Sequence, residues 1–274
     1  VSHELIGEIQ EERSKSQESR DESLVTEILE DVRSNLEKIT HHGKRVDDIV
    51  SASAAETGGN RHIRFVTTPE ADCDLSVLNV VVPPDADGDL TSTKEALDDL
   101  GYNSVNRKYM LFVDATHYCG ISNTSDDSTP GLDNQSNFGP TYGRIDSGCW
   151  SSYVSAHELM HTLGGVQLDA PNSSGNYHCT DESDLMCYSD APGFPAMQQI
   201  CDESHEGLFD CNHDDYFNTD PAPGSYLSTH WNSANNQFLS QSRNLIQPLN
   251  RNRNPFLSQN PNPNQNQSPF PSLN

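Results

Sequence analysis

Two histidines and a glutamate at fixed spacing, His157-Glu158-x-x-His161, are the residues of this chain best suited to chemistry. On a helix, residues four apart stack on one face, so both imidazoles point at one spot. Two imidazole nitrogens there can bind one Zn²⁺ at about 2.0–2.1 Å. Glu158 lies about 100° around the helix from His157, beside such an ion but off its ligand axis. A general base for a zinc-activated water belongs in that position. The plainer alternative is a buried helix whose histidines are only hydrogen-bonded.

The flanking residues supply the helix that the spacing requires. Ala156, Leu159, Met160 and Leu163 cluster on the face opposite the histidines, leaving one side for a core and one for a cleft. Ser151 or Ser152 can cap the start, and Gly164-Gly165 can end it with a left-handed turn.

A catalytic zinc ordinarily has three protein ligands and one open position. From His157 to Tyr188 the chain resembles the metzincin clan of secreted zinc proteases, whose motif is His-Glu-x-x-His-x-x-Gly-x-x-His followed by a methionine turn. His157, Glu158, His161 and Gly164 match position by position, and Asp184-Leu-Met186-Cys-Tyr188 resembles the methionine turn, including its tyrosine. The resemblance implies a hydrophobic floor at Met186 and a hydrogen-bond donor or metal neighbour at Tyr188. Gln167 departs from it, standing where the third ligand belongs. A neutral amide oxygen is a poor zinc ligand. His178 is the first replacement to consider, because Pro171 and Gly175 can return the chain and a Cys179–Cys187 bridge would tie it to Met186. Asp169, Asp181 and Gln167 itself remain alternatives.

Composition bounds the setting. Hydrophobic residues make up 33% of the 274, and no run approaches the roughly 18 apolar residues of a membrane span. Net charge is −25, and residues 58–240 alone hold 27 acids against 6 bases, a balance that disfavours nucleic acid and anionic membranes. Calcium is a candidate counter-ion for that charge. The chain starts at Val1, consistent with a signal peptide removed or never included. Six of seven cysteines surround the metal motif without Cys-x-x-Cys pairs, so disulfides are expected. Local spacing suggests Cys119–Cys149, Cys179–Cys187 and Cys201–Cys211, with Cys73 left over.

In chain order, Val25, Leu29, Val32, Leu36 and Ile39 predict an amphipathic helix stopping at His41-His42-Gly43, and Ser51 to Asn60 reads as a linker. Strands are expected at 64–67, 75–82 and 108–114, with a helix over 93–100 between the last two. That order implies a right-handed crossover in an α/β sheet. Asp85-Ala-Asp-Gly-Asp89 reads as a solvated turn. Residues 141–146 suit an edge strand able to pair with an extended peptide.

The expected protein is therefore α/β, a metzincin-like catalytic domain with a twisted mixed sheet and an active-site helix. Its parts are a helical extension or propeptide remnant (1–57), the zinc domain (58–240) and a disordered Asn/Pro-rich tail (241–274). The expected function is a secreted, monomeric zinc endopeptidase acting on protein or peptide substrates, with no nucleic-acid or membrane partner. His157, His161 and His178 would bind Zn²⁺, Glu158 would be the base, Tyr188 would assist, and Ca²⁺ is a further candidate ion. The alternative is a catalytically silent, zinc-stabilised binding module of the same fold.

Overall fold

The computed structural model describes residues 3–67, 75–190, 192–242 and 247–248, without the side chains of 3–19, 21–23 and 247–248. Cys73 and most of the 241–274 tail lie outside the described residues. The architecture is mixed α/β, with small sheets and four α-helices among the described residues.

Helix α1 runs from His3 to Glu56. It passes through His41-His42-Gly43 and into the expected linker, correcting both readings. The cause is tertiary burial. Val46, Ile49, Val50 and Ala54, spaced as one helical stripe, enter the same core as the motif helix. Gly43 is a point of close approach here and not a helix stop, since a Cβ there would come within 2.5 Å of Leu75 Cδ2. His42 stacks on Phe112 at 6.5 Å instead of sitting at a helix end. Ser53 Oγ accepts from the Phe209 backbone N–H at 2.9 Å, and Asp47 accepts from the Ile63 N–H at 2.8 Å, so the helix is fastened by polar contacts as well.

Two short strands follow, β1 (His62–Ile63) and β2 (Val66–Thr67). The expected strand over 75–82 does not form beyond an isolated Thr67–Leu75 bridge. Val80 and Val82 still pack against a second apolar cluster while Val81 stays 84% exposed, so the period-2 alternation survives without a ladder. Helix α2 (Leu90–Asp99) starts earlier than expected because Asp89 accepts from the Ser92 N–H at 2.8 Å and caps it. The Asp85–Asp89 turn is thus partly structural.

The central sheet has three strands in the order β3 (Lys108–Val113), β5 (Thr141–Asp146), β4 (Gly120–Ser122). β5 is parallel to β3 and antiparallel to β4. Two expectations fail here. Without a strand at 75–82 there is no helix-linked crossover among the described residues, and β5 is the middle strand while β4 is the edge. The central place of β5 follows from its burial: Tyr142 and Ile145 fill opposite faces, and Arg144 is fully buried with its guanidinium spent on Asp146, Thr93 and Asp87. Such a buried cation is tolerable only because its donors are satisfied.

Helix α3 (Ser152–Thr162) lies across this sheet and carries the His-Glu-x-x-His motif. Helix α4 (Tyr226–Thr229) and strands β6 (Leu239–Ser240) and β7 (Gln247–Pro248) complete the fold. β6 pairs with β1 and β7 with β2. Three disulfides join the expected partners, Cys119–Cys149, Cys179–Cys187 and Cys201–Cys211. They suggest an oxidising environment. Among the described residues no helix is long and apolar enough to cross a membrane.

Candidate metal centre

Helix α3 is positioned at both ends. Ser151 Oγ accepts from the Val154 N–H at 3.1 Å, the expected cap. At the far end Gly164 has φ +88°, and a Cβ there would fall 2.3 Å from Ser136 Oγ and 2.5 Å from Trp231 Nε1. Only glycine meets both demands. The Leu163 carbonyl left free by the helix end accepts from Trp231 Nε1 at 3.0 Å, tying the helix to the 230s. Ala156, Leu159, Met160 and Leu163 are all buried, as the periodicity predicts.

The opposite face brings the two motif histidines together, with His157 Nε2 and His161 Nε2 3.1 Å apart. Two ligands of a tetrahedral zinc at about 2.0–2.1 Å are separated by about 3.3 Å, so this pair already spans one tetrahedral edge. His157 Nδ1–H donates to the Leu185 carbonyl at 2.8 Å, which leaves the Nε2 lone pair for a ligand role. Burial pulls His157 down to about 4 and holds His161 well below the ordinary histidine range. Both are neutral, the form a metal requires.

His178 joins them from a loop. The Ser174 N–H donates to the His178 carbonyl at 2.7 Å, closing the return that Gly175 (φ +86°) permits. The Cys179–Cys187 bridge then ties this loop to Met186, which is fully buried. The His178 ring lies 5.3 Å from that of His157 and 5.0 Å from that of His161. One nitrogen of each histidine falls within 4.8 Å of the other two, so this buried triad can hold a metal ion. Desolvation lowers His178, with Asp190 opposing.

Asp190 was not legible as a site residue in the sequence. Its Oδ1 lies 2.8 Å from His178 Nδ1, and it is itself held by Ser174 Oγ and by Asn176 Nδ2 at 3.0 Å. This is the carboxylate–imidazole arrangement that orients metal-binding histidines. No spacing rule links positions 178 and 190, so only the loop fold reveals it.

The other third-ligand candidates are engaged elsewhere. The Gln167 amide is buried, donating to the Ser125 and Gly164 carbonyls at 3.1 and 2.7 Å and accepting from the Asp127 N–H at 2.8 Å. It braces the 125–127 loop against the end of α3. Asp169 is exposed and accepts from Tyr226 Oη at 2.7 Å. Asp181 belongs to a separate buried group with Asp214 and Asp215.

Glu158 is 4% exposed, and burial raises it to about 7 against the opposing Ser122 hydrogen bond. Ser122 Oγ, on β4, donates to Glu158 Oε2 at 2.6 Å. A Cβ on Gly120 would stand 2.1 Å from Glu158 Oε1, so this glycine keeps the carboxylate's place open. Gly120 and Ser122 carry no signal in the sequence, where residues 120–140 read as one polar loop although the structure forms β4 there. The Tyr188 ring packs 4.1 Å from that of His178 and 5.7 Å from that of His157 while remaining 48% exposed. Burial, with Asp190 and Glu158 nearby, pushes its phenol up to about 12, so it keeps its proton at neutral pH.

These residues together offer three neutral imidazole nitrogens, one carboxyl and one phenol. No protein-family model, curated protein or solved structure matches the chain.

Proposed function

We propose that this chain is a zinc-dependent endopeptidase of metzincin-like type, exported to an oxidising compartment. The observation that carries this reading is the convergence of three neutral imidazoles, His161 and His178 buried and His157 partly so, beside the Glu158 carboxyl of the motif helix. The donor set fits zinc: all nitrogen, with the His157 and His161 Nε2 atoms 3.1 Å apart and two Nδ1 atoms fixed by a carbonyl and a carboxylate. Zinc held there supplies Lewis-acid polarisation of a peptide carbonyl and acidification of a water.

The chain's own residues do the rest. Glu158 takes a proton from the attacking water as its oxygen bonds to the carbonyl carbon. It returns that proton to the peptide nitrogen as the carbon–nitrogen bond breaks. Ser122 fixes which carboxylate oxygen is free for this transfer, because Oε2 is already hydrogen-bonded. Tyr188, protonated at neutral pH, donates a hydrogen bond to the carbonyl oxygen as negative charge builds on it. The edge strand β4 offers backbone groups to an extended substrate next to Glu158, which favours proteins and peptides over small esters or nucleic acid.

Gln167 at the usual third-ligand position is the sequence feature that favours the silent binding module; against it, His178 brings a third imidazole to the pair and Glu158 stands beside them. The test is Glu158→Gln with zinc content measured in parallel. Proteolysis of an unstructured substrate should fall by about 10²–10⁴-fold with zinc retained. Activity within about tenfold of the parent would refute the base assignment. Absence of proteolysis in the zinc-loaded parent would favour the binding module.

A further inference from the structure

Away from the imidazoles lies a second polar group that the proposed chemistry does not use. Asp181, Asp214 and Asp215 place one carboxylate oxygen each within 4.8 Å of the others. Asp181 is 1% exposed, and neither of its oxygens has a hydrogen-bond partner. Asp214 Oδ1 is likewise buried and unpartnered. Asp215 is 2% exposed and accepts only from Asn172, through its backbone N–H at 2.8 Å and its Nδ2 at 3.2 Å. Among the described residues no lysine or arginine forms an ion pair with any of the three. Buried carboxylates are ordinarily paired, hydrogen-bonded or bound to metal. Asp181 has neither of the first two.

We propose that Asp181, Asp214 and Asp215 form a structural calcium site, separate from the three-histidine centre. The donors are all hard anionic oxygen, which suits calcium and not the imidazole-preferring zinc. Oxygens bound to one Ca²⁺ at about 2.3–2.6 Å can stand up to about 5.2 Å apart, so the observed spread fits. Three carboxylates, some bidentate, with water would complete the usual six to eight ligands.

The position gives such an ion a definite task. Asp181 is on the disulfide loop three residues after His178, and Asp215 grips Asn172 at the start of that loop's return. Asp214 and Asp215 follow the Cys201–Cys211 bridge and two residues in the left-handed region, Asn212 (φ 67°) and His213 (φ 59°). A cation shared by the three would clamp the His178 arm to the 210–217 segment. That clamp explains why a polar loop should hold an imidazole in register with α3.

The experiment uses the full chain, stripped with chelator and reloaded with one equivalent of zinc, then titrated with calcium by calorimetry and by thermal melting. One calcium should bind per chain at about 10⁻⁴–10⁻³ M, the range of extracellular modules, and melting should rise with occupancy. Asp181→Asn should weaken calcium at least tenfold and flatten that rise. Asp214→Asn, at a less buried position, should act in the same direction and serves if the first variant does not fold. His161→Ala should lose zinc and keep calcium, separating the two sites. No calcium bound up to about 10 mM would overturn the proposal, because that exceeds the weakest extracellular sites. Undiminished calcium affinity in both aspartate variants would also overturn it, placing the ion elsewhere on the acidic surface. So would magnesium binding as well as calcium.

Discussion

Removing the Asp190 carboxylate is the sharpest test of whether His178 is a metal ligand. Asp190 touches no bound group itself. It acts through one contact, the 2.8 Å bond from His178 Nδ1–H, and is pre-set by Ser174 and Asn176. Burial alone would raise its pKa, but those donors outweigh it and hold the carboxyl below the ordinary range, so it is ionised at neutral pH. It therefore fixes the tautomer that leaves His178 Nε2 free, and it makes that nitrogen more basic. Loss of such a partner typically weakens metal binding by about 10–100-fold. That corresponds to about 1.4–2.7 kcal/mol. Asp190→Ala should show this full loss in competition with a chromogenic zinc chelator at fixed pH. Asp190→Asn, whose amide oxygen can still accept from Nδ1, should lose less. Tyr188→Phe, which changes a neighbour of His178 that is not needed to hold the ring, should leave zinc affinity within about twofold. If Asp190→Ala binds zinc as the parent does, His178 is not a ligand and the three-nitrogen centre is wrong.

Three further outcomes follow from the same geometry. Gly120→Ala places a Cβ 2.1 Å from Glu158 Oε1, so the carboxylate must move; proteolysis should drop by at least about tenfold with zinc content unchanged, read by paired activity and metal assays. Gln167→Ala breaks the buried amide's three hydrogen bonds and should cost about 1–3 kcal/mol in denaturant unfolding, with zinc affinity preserved. For Asp146, burial pushes the carboxyl up, but the Arg144 guanidinium and the His117 and Tyr118 N–H groups outweigh it and leave it depressed. Its stabilisation is complete above the unfolded value near pH 4 and is lost as pH falls through the folded value, so melting temperature should decline steadily below about pH 4.

What the sequence determined by itself is what local spacing controls. Four residues of separation put His157 and His161 on one face of α3, whatever surrounds the helix, and a serine and two glycines mark its ends. The three disulfides join cysteines 30, 8 and 10 residues apart, where closing a short loop favours the nearest partner. The core face of α3 was legible for the same reason, because periodicity is a local property.

Contacts between distant segments were decided only by the tertiary structure. α1 continues through Gly43 because Val46, Ile49, Val50 and Ala54 are buried in the core they share with α3, and burial outweighs weak local propensity. Residues 75–82 alternate like a strand yet form none, because a strand needs a neighbouring edge that the sequence cannot specify. β5 is central and β4 is the edge for a similar reason: Arg144 finds buried partners on the 85–93 segment, which no spacing announces. The same limit applies at the site. Gln167 stands at a ligand position by sequence, but its amide is spent on the 125–127 loop, while Asp190 and Ser122 reach the centre from segments with no motif of their own. Sequence spacing fixes direction within one element, whereas the neighbours each side chain meets depend on how the elements pack.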